Sequence, residues 1–461
     1  MSPAGRAANA TAVPRSLTAV VLLTALALAS CSSGSQAPFH VLPEAAARKH
    51  SPGVGDYIKH VVIIVQENRS FENLFAGFPG ADAPTFGLNA NGKKIPLQTV
   101  HFLPLVNVNH DFQPAIHSWD HGKMDGFNGT YSGLSPTYPY AHMDRSEIAP
   151  YWDMAQQYVL ADHMFPTEFG PSFTGHLSLI AGTTSLSRTK AVANNPIGGP
   201  WGCDAAAGTI TFTVNTKRKI ESGPFPCYTQ FRTMADVLDG GKLPWKYYSP
   251  AIDADKGGIL WSSFSAIKAV RYSNDWSNDV ISPQTDVLGD AKTGTLPSVA
   301  WVIPDWTWSD HPSSGSDLGP SWVASVVNAI GNGPDWKSTA IVIVWDDWGG
   351  WYDNARPPNF NDFRGPGIRV GCIIVSPYAK PHYVDHTQYE FGSILRFAEE
   401  AFGLPTIGAA DDGYTDARAT SLDNAFDFTQ APRAFKTIKA KYPPSRFLLQ
   451  KPSGRPPDTD L

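Results

Sequence analysis

Residues 58–71 read IKHVVIIVQENRSF, and this stretch decides the fold. An aliphatic run from Val61 to Val65 is followed within three residues by a carboxylate, Glu67, and an amide, Asn68. This pattern is typical of a buried strand in an α/β sheet, where ligand-binding groups follow the carboxyl end of the strand. The stretch therefore predicts an α/β core with a polar site at the end of its first strand.

A second stretch far along the chain repeats this design. Residues 340–350 read AIVIVWDDWGG, an apolar strand that runs into Asp346 and Asp347. Adjacent carboxylates at the tip of a strand repel each other, and a bound cation is the simplest way to keep both ionised. Two strands that each end in oxygen ligands predict one divalent metal ion, held between Glu67, Asn68, Asp346 and Asp347.

Each half of this predicted metal site has a simpler explanation. Asn68, with Glu72 four residues later, could cap the N-terminus of the helix that follows. The pair Asp346 and Asp347 could lie in a surface turn, although the apolar strand before it disfavours this. Oxygen ligands suit Ca²⁺ and Mg²⁺ as well as a catalytic Mn²⁺ or Zn²⁺, so the identity of the metal stays open.

A third motif, GPSFTGH at residues 170–176, places Ser172 at the start of an apolar helical stretch. The N–H groups and the dipole of a helix N-terminus favour an anion, and they would assist a serine alkoxide or a phosphoryl oxygen. An ordinary serine N-cap is the alternative explanation. The motif is not the Gly-x-Ser-x-Gly elbow, which disfavours an esterase of the α/β-hydrolase kind.

Three histidines are candidates for proton transfer. His110 and His117 precede the segment GKMDGF at 122–127, and His311 lies in the sequence SDHP. A protonated imidazole can bind a phosphoryl oxygen or give a proton to a leaving alkoxide. Spacing alone does not choose among the three.

Charge and composition exclude one class of partner. The 461-residue chain has a formal net charge of −6 and no cluster of Lys and Arg. It therefore lacks the electrostatic footprint of a nucleic-acid-binding protein. An anionic substrate would have to be held by a local charge, such as the predicted metal ion.

The N-terminal residues predict export to the periplasm or the cell surface. Two arginines precede an apolar run at 17–29 that is too short to span a membrane and has the layout of a signal peptide. The sequence Leu28-Ala29-Ser30-Cys31 resembles a bacterial lipobox, so we predict a signal peptide over 1–30 and a lipidated Cys31 as a membrane anchor. A plain cleaved signal is the alternative.

The remaining sequence divides into a linker at 31–55, a main domain at 56–430 and a Pro-rich tail at 431–461. Within the main domain, residues 186–295 are rich in Gly, Asn and Ser and predict an inserted cap over the site. Cys203 and Cys227 lie in this region and could form a disulfide in an oxidising compartment, whereas Cys372 has the pattern of a buried strand residue.

Five motifs together resemble the bacterial phosphoesterase family, which includes secreted phospholipases C and acid phosphatases. They occur in the order of that family between about residues 56 and 404. The five are HVVIIVQENRSFE at 60–72, GKMDGF at 122–127, GPSFTGH at 170–176, WDDWGGWYD at 345–353 and GIRVGCIIVSP at 367–377.

The resemblance implies an alkaline-phosphatase-like α/β core sheet flanked by helices, with an inserted cap region. It implies that Ser172 is both a metal ligand and the nucleophile, and that His110 and His311 are the catalytic histidines. The implied metal ligands are Glu67, Asn68, Ser172, Asp346 and Asp347.

These observations predict a metal-dependent phosphoric ester hydrolase with a serine nucleophile, acid-phosphatase-like in its substrate. The missing long C-terminal extension of many phosphatidylcholine-cleaving members favours the phosphatase. One alternative is a phospholipase C that cleaves the phosphodiester of phospholipids, and another is a non-catalytic lipoprotein binding module. Asn354 stands where the family often has a histidine, which leaves the protonation of the leaving group open.

Overall fold

The computed structural model describes residues 53–129, 135–250 and 261–451. The chain divides into two compact units, residues 1–51 and 52–461, and every described residue belongs to the second. The predicted signal peptide, the lipidated Cys31 and most of the predicted linker lie outside the described residues.

Short strands and helices alternate along the described chain. The strands are β1 His60–Gln66, β2 Phe86–Leu88, β3 Lys94–Pro96, β4 Gln98–Val100, β5 Ala141–Met143, β6 Val159–Ala161, β7 Met164–Phe165, β8 Ser185–Ser187, β9 Lys190–Pro196, β10 Thr211–Asn215, β11 Ile220–Ser222, β12 Trp245–Tyr248, β13 Val280–Ile281, β14 Val299–Val302, β15 Thr339–Trp345, β16 Cys372–Val375, β17 Tyr383–Asp385 and β18 Tyr389–Glu390. The α-helices are α1 Val54–Tyr57, α2 Phe71–Phe75, α3 Phe112–Trp119, α4 Ala149–Gln157, α5 Ser172–Ala181, α6 Met234–Gly240, α7 Lys268–Arg271, α8 Asn274–Asn278, α9 Asp286–Thr293, α10 Gly319–Gly331, α11 Phe391–Phe402 and α12 Ser445–Leu449.

An eight-stranded sheet forms the centre of the fold, in the order β13-β12-β14-β1-β15-β16-β6-β17. All its strands run parallel except β16, which pairs antiparallel with both β15 and β6. The carboxyl ends of the seven parallel strands therefore meet at one edge of the sheet. This architecture confirms the predicted α/β fold.

Strand β1 lies in the middle of the sheet because it is apolar on both faces. It pairs with β14 on one side and with β15 on the other, and nearly all of β1 and all of β15 are buried. Continuous Val and Ile runs are typical of parallel strands that are covered on both faces. Gln66 is in register with Trp345, so the residues that follow them, Glu67 and Asp346, emerge side by side.

The region predicted as an insertion, residues 186–295, contributes to two sheets. Strands β8 to β11 form a separate four-stranded sheet, whereas β12 and β13 belong to the central sheet. Cys203 and Cys227 form a disulfide, a pairing that the sequence allowed but did not decide. Cys372 is a free, buried cysteine, as expected. The domain boundaries themselves stay predictions.

The described part of the Pro-rich tail packs on the main sheet domain. Phe447, in α12, is 1% exposed, and its ring lies against the rings of Trp308 and Trp322, with centroid distances of 5.3 and 5.4 Å. The side chain of Ile438 is also buried. Residues up to 451 are thus part of the folded unit.

Replacement of Ile63 by Ala tests the central position of β1. Ile63 is fully buried between Trp301 and Val342 of the neighbouring strands. Loss of its side chain leaves a cavity, so we expect the free energy of unfolding in urea to fall by about 2–5 kcal/mol. Leu448→Ala, at a side chain that is 60% exposed, is the control and should change it by less than about 0.5 kcal/mol. Equal effects in the two variants would contradict this assignment of the core.

Candidate active site

Glu67 and Asn68 directly follow β1 and face the end of β15. The backbone N–H of Asn68 donates a hydrogen bond of 3.0 Å to Oδ1 of Asp346. Asn68 has a φ of 55°, in the left-handed region that Asn adopts more readily than most residues. The cap of α2 is Ser70, whose Oγ accepts the N–H of Asn73 at 3.2 Å. The side chain of Asn68 is therefore not a helix cap and turns toward the site.

Ser172 is the first residue of α5, as the sequence predicts, and its N-cap is Pro171. Its hydroxyl donates to Oε2 of Glu67 at 3.1 Å and lies 3.3 Å from Oδ2 of Asp347. The side-chain amide of Asn68 donates to the same hydroxyl oxygen at 3.2 Å. The serine is thus held among the predicted metal ligands at the N-terminus of a helix.

Asp347 completes this group of side chains, and it is held by a tight turn. Its Oδ1 accepts the N–H of Gly349 at 2.7 Å, and its Oδ2 lies 3.3 Å from the side-chain nitrogen of Asn68. Gly349 has a φ of 62°, and a Cβ at this position would lie 2.1 Å from the carbonyl oxygen of Asn68. Both aspartates are fully buried, so the surface-turn explanation is wrong.

His176 belongs to the same group, and the sequence analysis missed it. Its Nε2 lies 2.5 Å from Oε1 of Glu67 and 3.7 Å from Oδ2 of Asp346. The potential ligand atoms of these three buried residues all lie within 4.8 Å of one another. His176 follows Ser172 by four residues on α5, and this spacing, which places both on one helix face, was the available signal.

Helix α5 reaches the strand ends because Gly175 carries no side chain. A Cβ on Gly175 would lie 2.4 Å from the backbone oxygen of Asp346. The glycine between Ser172 and His176 therefore allows the helix to lie directly against the end of β15.

His110 contacts the group through Asn68. Its Nε2 accepts the side-chain amide of Asn68 at 2.7 Å, and its Nδ1–H donates to the carbonyl of Val108 at 2.7 Å. This pair of bonds assigns the proton of the neutral ring to Nδ1. His117, the other candidate, is exposed on α3.

His311 lies beside His110, with a distance of 6.5 Å between the ring centroids. Its Nδ1 accepts the N–H of Ser313 at 3.2 Å, which leaves the proton of the neutral ring on Nε2. Gln66, the last residue of β1, fixes the backbone before His311. The side chain of Gln66 accepts the N–H of Asp310 at 2.9 Å and donates to the carbonyl of Trp308 at 3.2 Å.

Burial of the carboxylates dominates the electrostatics. Burial, and then the charge of Asp347, raises the pKa of Glu67 well above its usual value. Burial, and then Glu67, raises the pKa of Asp346 to about 7, and burial lowers the pKa of His176. Oδ2 of Asp346 has no hydrogen-bond partner among the described residues. Buried carboxylates with an unsatisfied oxygen are suited to a divalent metal ion.

An α/β protein with a helix-terminal serine among potential metal ligands has the components of a metal-assisted hydrolase with a covalent step. The comparison with known families agrees with this class. Residues 58–405 match the Phosphoesterase family, and the chain belongs to that family. Both the resemblance stated above and the expected enzyme class are thereby confirmed.

Curated relatives are named phospholipases C. The hemolytic phospholipase C of Pseudomonas aeruginosa is 25% identical over 424 residues, which cover 81% of this chain and 56% of the relative. Phospholipase C B of Mycobacterium tuberculosis is 23% identical over 446 residues, 84% of this chain and 80% of the relative. The non-specific phospholipase C1 of Arabidopsis thaliana is 24% identical over 460 residues, 88% of this chain and 77% of the relative.

Among solved structures, a protein of the alkaline phosphatase superfamily from Vibrio parahaemolyticus has a TM-score of 0.38 and 11% identity. The match covers 76% of this chain and 68% of that chain.

The names of the curated relatives support the alternative of a phospholipase C better than the expected acid phosphatase. The disulfide agrees with the expected export. Within the described ranges, the chain has no helix that is long and apolar enough to cross a bilayer.

Replacement of His176 by Ala tests its place in the metal site. The variant loses the nitrogen beside Glu67 and Asp346, so we expect the dissociation constant for Mn²⁺ or Zn²⁺ to rise by about 10–100-fold. Isothermal titration of the metal-stripped protein measures this constant. His142→Ala, a partly exposed histidine on β5, is the control. An unchanged constant in His176→Ala would remove His176 from the site.

The metal affinity should also depend on pH. Asp346, with a pKa of about 7, is mostly protonated at pH 6 and mostly ionised at pH 8. Below pH 7 a metal ion must displace this proton and also that of Glu67, whose pKa burial raises as well, so we expect the affinity to fall by at least about tenfold for each pH unit. Titrations at pH 6, 7 and 8 in buffers of equal ionic strength measure this dependence. Equal affinities at pH 6 and 8 would contradict a role for Asp346 as a ligand.

Proposed function

We propose that this protein is a metal-dependent phospholipase C that cleaves the phosphodiester of phospholipids through a phosphoseryl intermediate on Ser172. The observation that carries the proposal is the hydroxyl of Ser172, which donates to Glu67 at 3.1 Å at the N-terminus of α5. The names of the curated relatives support a phospholipid as the substrate, and family membership supports the ester chemistry.

One divalent metal ion would be held by carboxylate, amide and hydroxyl oxygens and one imidazole nitrogen, which are common ligands of such ions. When bound, the ion neutralises charge on the phosphoryl group and lowers the pKa of the serine hydroxyl. The structure fits such an ion because Oδ2 of Asp346 has no hydrogen-bond partner among the described residues. The proposed ligands are Glu67, Asn68, Ser172, His176, Asp346 and Asp347.

Ser172 is positioned as the nucleophile by its two hydrogen bonds. Its proton points to Glu67, and the amide of Asn68 donates to Oγ, which fixes the direction of the remaining lone pair. The hydroxyl proton would pass to Glu67 as attack on phosphorus forms the Oγ–P bond and breaks the bond from phosphorus to the lipid alcohol. The N–H groups at the start of α5 would stabilise the phosphoryl oxygens during this step.

His311 is the proposed acid for the leaving alcohol. In its imidazolium form, His311 would give one proton to the departing alkoxide and return to the neutral ring. His110 is less suited to this role because its Nε2 accepts a bond from Asn68. His110 would instead orient Asn68. Water then cleaves the Oγ–P bond and restores Ser172.

Aromatic side chains beside His311 favour a lipid alcohol over a small one. The ring of Trp306 lies 4.4 Å from that of His311, and Trp261 stacks on Trp306 at 5.7 Å. An apolar wall next to the acid can shield the leaving alkoxide from water. The proposal also includes export and a lipid anchor on Cys31, which would keep the enzyme at a membrane.

Hydrolysis of two chromogenic substrates tests the proposal. We expect wild-type protein to cleave p-nitrophenylphosphorylcholine faster than p-nitrophenyl phosphate. Ser172→Ala and EDTA should each lower the rate by a factor on the order of 10³ or more, because nucleophile and metal act together. Ser178→Ala, a buried serine on the same helix that donates to Thr174, is the matched control and should retain activity.

Each contrary result has a distinct meaning. Full activity in Ser172→Ala would exclude the proposed nucleophile. Faster cleavage of p-nitrophenyl phosphate would favour the acid phosphatase, and absence of activity on both substrates would favour the binding module.

A further inference from the structure

A second group of potential metal ligands lies at the same edge of the sheet, away from the active site. Asp162 and His163 directly follow β6, and His386 directly follows β17. These two strands are parallel neighbours, with Ala161 in register with Asp385. The register therefore brings Asp162 and His386 together, just as it brings together the ends of β1 and β15. We name Asp162, His163, His386 and the adjacent Asp82 the edge cluster.

The side chains of the edge cluster are already in contact. Nδ1 of His163 lies 2.8 Å from Oδ1 of Asp162, and Nδ1 of His386 lies 2.9 Å from Oδ2. The potential ligand atoms of these three residues all lie within 4.8 Å of one another. Asp82, from the loop after α2, lies on the other side of the His163 ring, with its Oδ2 3.7 Å from Nε2. Small changes of side-chain rotamer would direct the ligand atoms of Asp162, His163 and His386 to one ion.

The donor set is that of a transition metal. Two imidazoles with one or two carboxylates suit Zn²⁺, whereas Ca²⁺ and Mg²⁺ prefer oxygen ligands alone. The carboxylate of Asp162 is fully buried, and it is anchored because its Oδ2 also accepts the N–H of Asp82 at 2.9 Å. His386 is 61% exposed, which gives an ion a path from solvent.

Arg369 lies close to Asp162 but does not form an ion pair with its carboxylate. Arg369 donates to the backbone carbonyl of Asp162 at 2.7 Å, whereas its Nε binds the carboxylate of Asp353 at 2.9 Å. The guanidinium thus pairs with the buried carboxylate of Asp353 and also lies 3.9 Å from Oδ2 of Asp82, whereas it contacts only the backbone of Asp162. A metal ion would supply the positive charge that the buried carboxylate of Asp162 favours.

The edge cluster is separate from the active site. It shares no residue with the group around Ser172, and strand β16 lies between β15 and β6 in the sheet. Three strand intervals separate β15 from β17, a distance of roughly 15 Å. The two groups can therefore bind metal independently.

We propose that Asp162, His163 and His386 form a second site that binds a divalent transition metal of the zinc type. The bound ion would join two segments that are remote in sequence: the end of β6 and the end of β17. Its role is structural, because it fastens the last strand of the sheet to its neighbour.

Zinc stoichiometry tests the proposal on the full chain. Metal-stripped protein is dialysed against Zn²⁺, and the bound zinc is counted by mass spectrometry. We expect two zinc ions per chain in the wild type and one in each of His163→Ala and His386→Ala. His386 is largely exposed, so its variant should fold even if His163→Ala does not. His101→Ala is the matched control, because His101 lies 3.6 Å from Glu147 and 3.9 Å from Asp144 but belongs to neither group of potential metal ligands among the described residues.

The variant Glu67→Gln removes a proposed ligand of the active-site metal, so zinc bound at the edge cluster can be measured separately. If the active site binds no zinc, the wild type should bind one ion, and His386→Ala should bind none. A zinc-dependent rise in melting temperature that persists in Glu67→Gln but is lost in His386→Ala would support a structural ion. Equal zinc contents in the wild type, His163→Ala and His386→Ala would overturn the proposal and leave a hydrogen-bonded cluster without metal.

Discussion

The mutual repulsion of three buried carboxylates is the constraint on which the rest of this structure depends. Glu67, Asp346 and Asp347 are fully buried at the ends of two adjacent strands. Like charges in an interior of low dielectric constant repel strongly, so such a group persists only with protons or a cation. The N–H groups of Asn68 and Gly349 both point at these carboxylates. A divalent metal ion bound among these carboxylates would relieve their repulsion.

Much of the fold and of the candidate site could be predicted because it depends on short patterns in the sequence. The aliphatic runs that form β1 and β15 each lead into their carboxylates, and Ser172 stands at the start of its helix. These features depend on residues that are close together in the sequence. Repulsion between Asp346 and Asp347 is likewise a local property, which is why the sequence alone pointed to a cation.

The features that escaped prediction depend on contacts between remote segments. His176 could be placed beside Glu67 only once the packing of α5 against β15 was known. The role of Gln66 depends on the path of the chain before His311, and the meeting of Asp162 with His386 depends on the register of β6 and β17. The central-sheet strands β12 and β13 come from a region whose Gly-rich composition indicated an insertion. Composition reports local flexibility, not the strand with which a segment pairs.

The contact between Gly349 and Asn68 also limits how this site can evolve. Every other amino acid at position 349 would add a Cβ that collides with the carbonyl of Asn68 and would strain a positive φ. A mutation there would move Asn68, the neighbour of the proposed nucleophile Ser172. Change in substrate preference is therefore expected at the rings beside His311, those of Trp261 and Trp306, where side chains can vary without displacing Asn68.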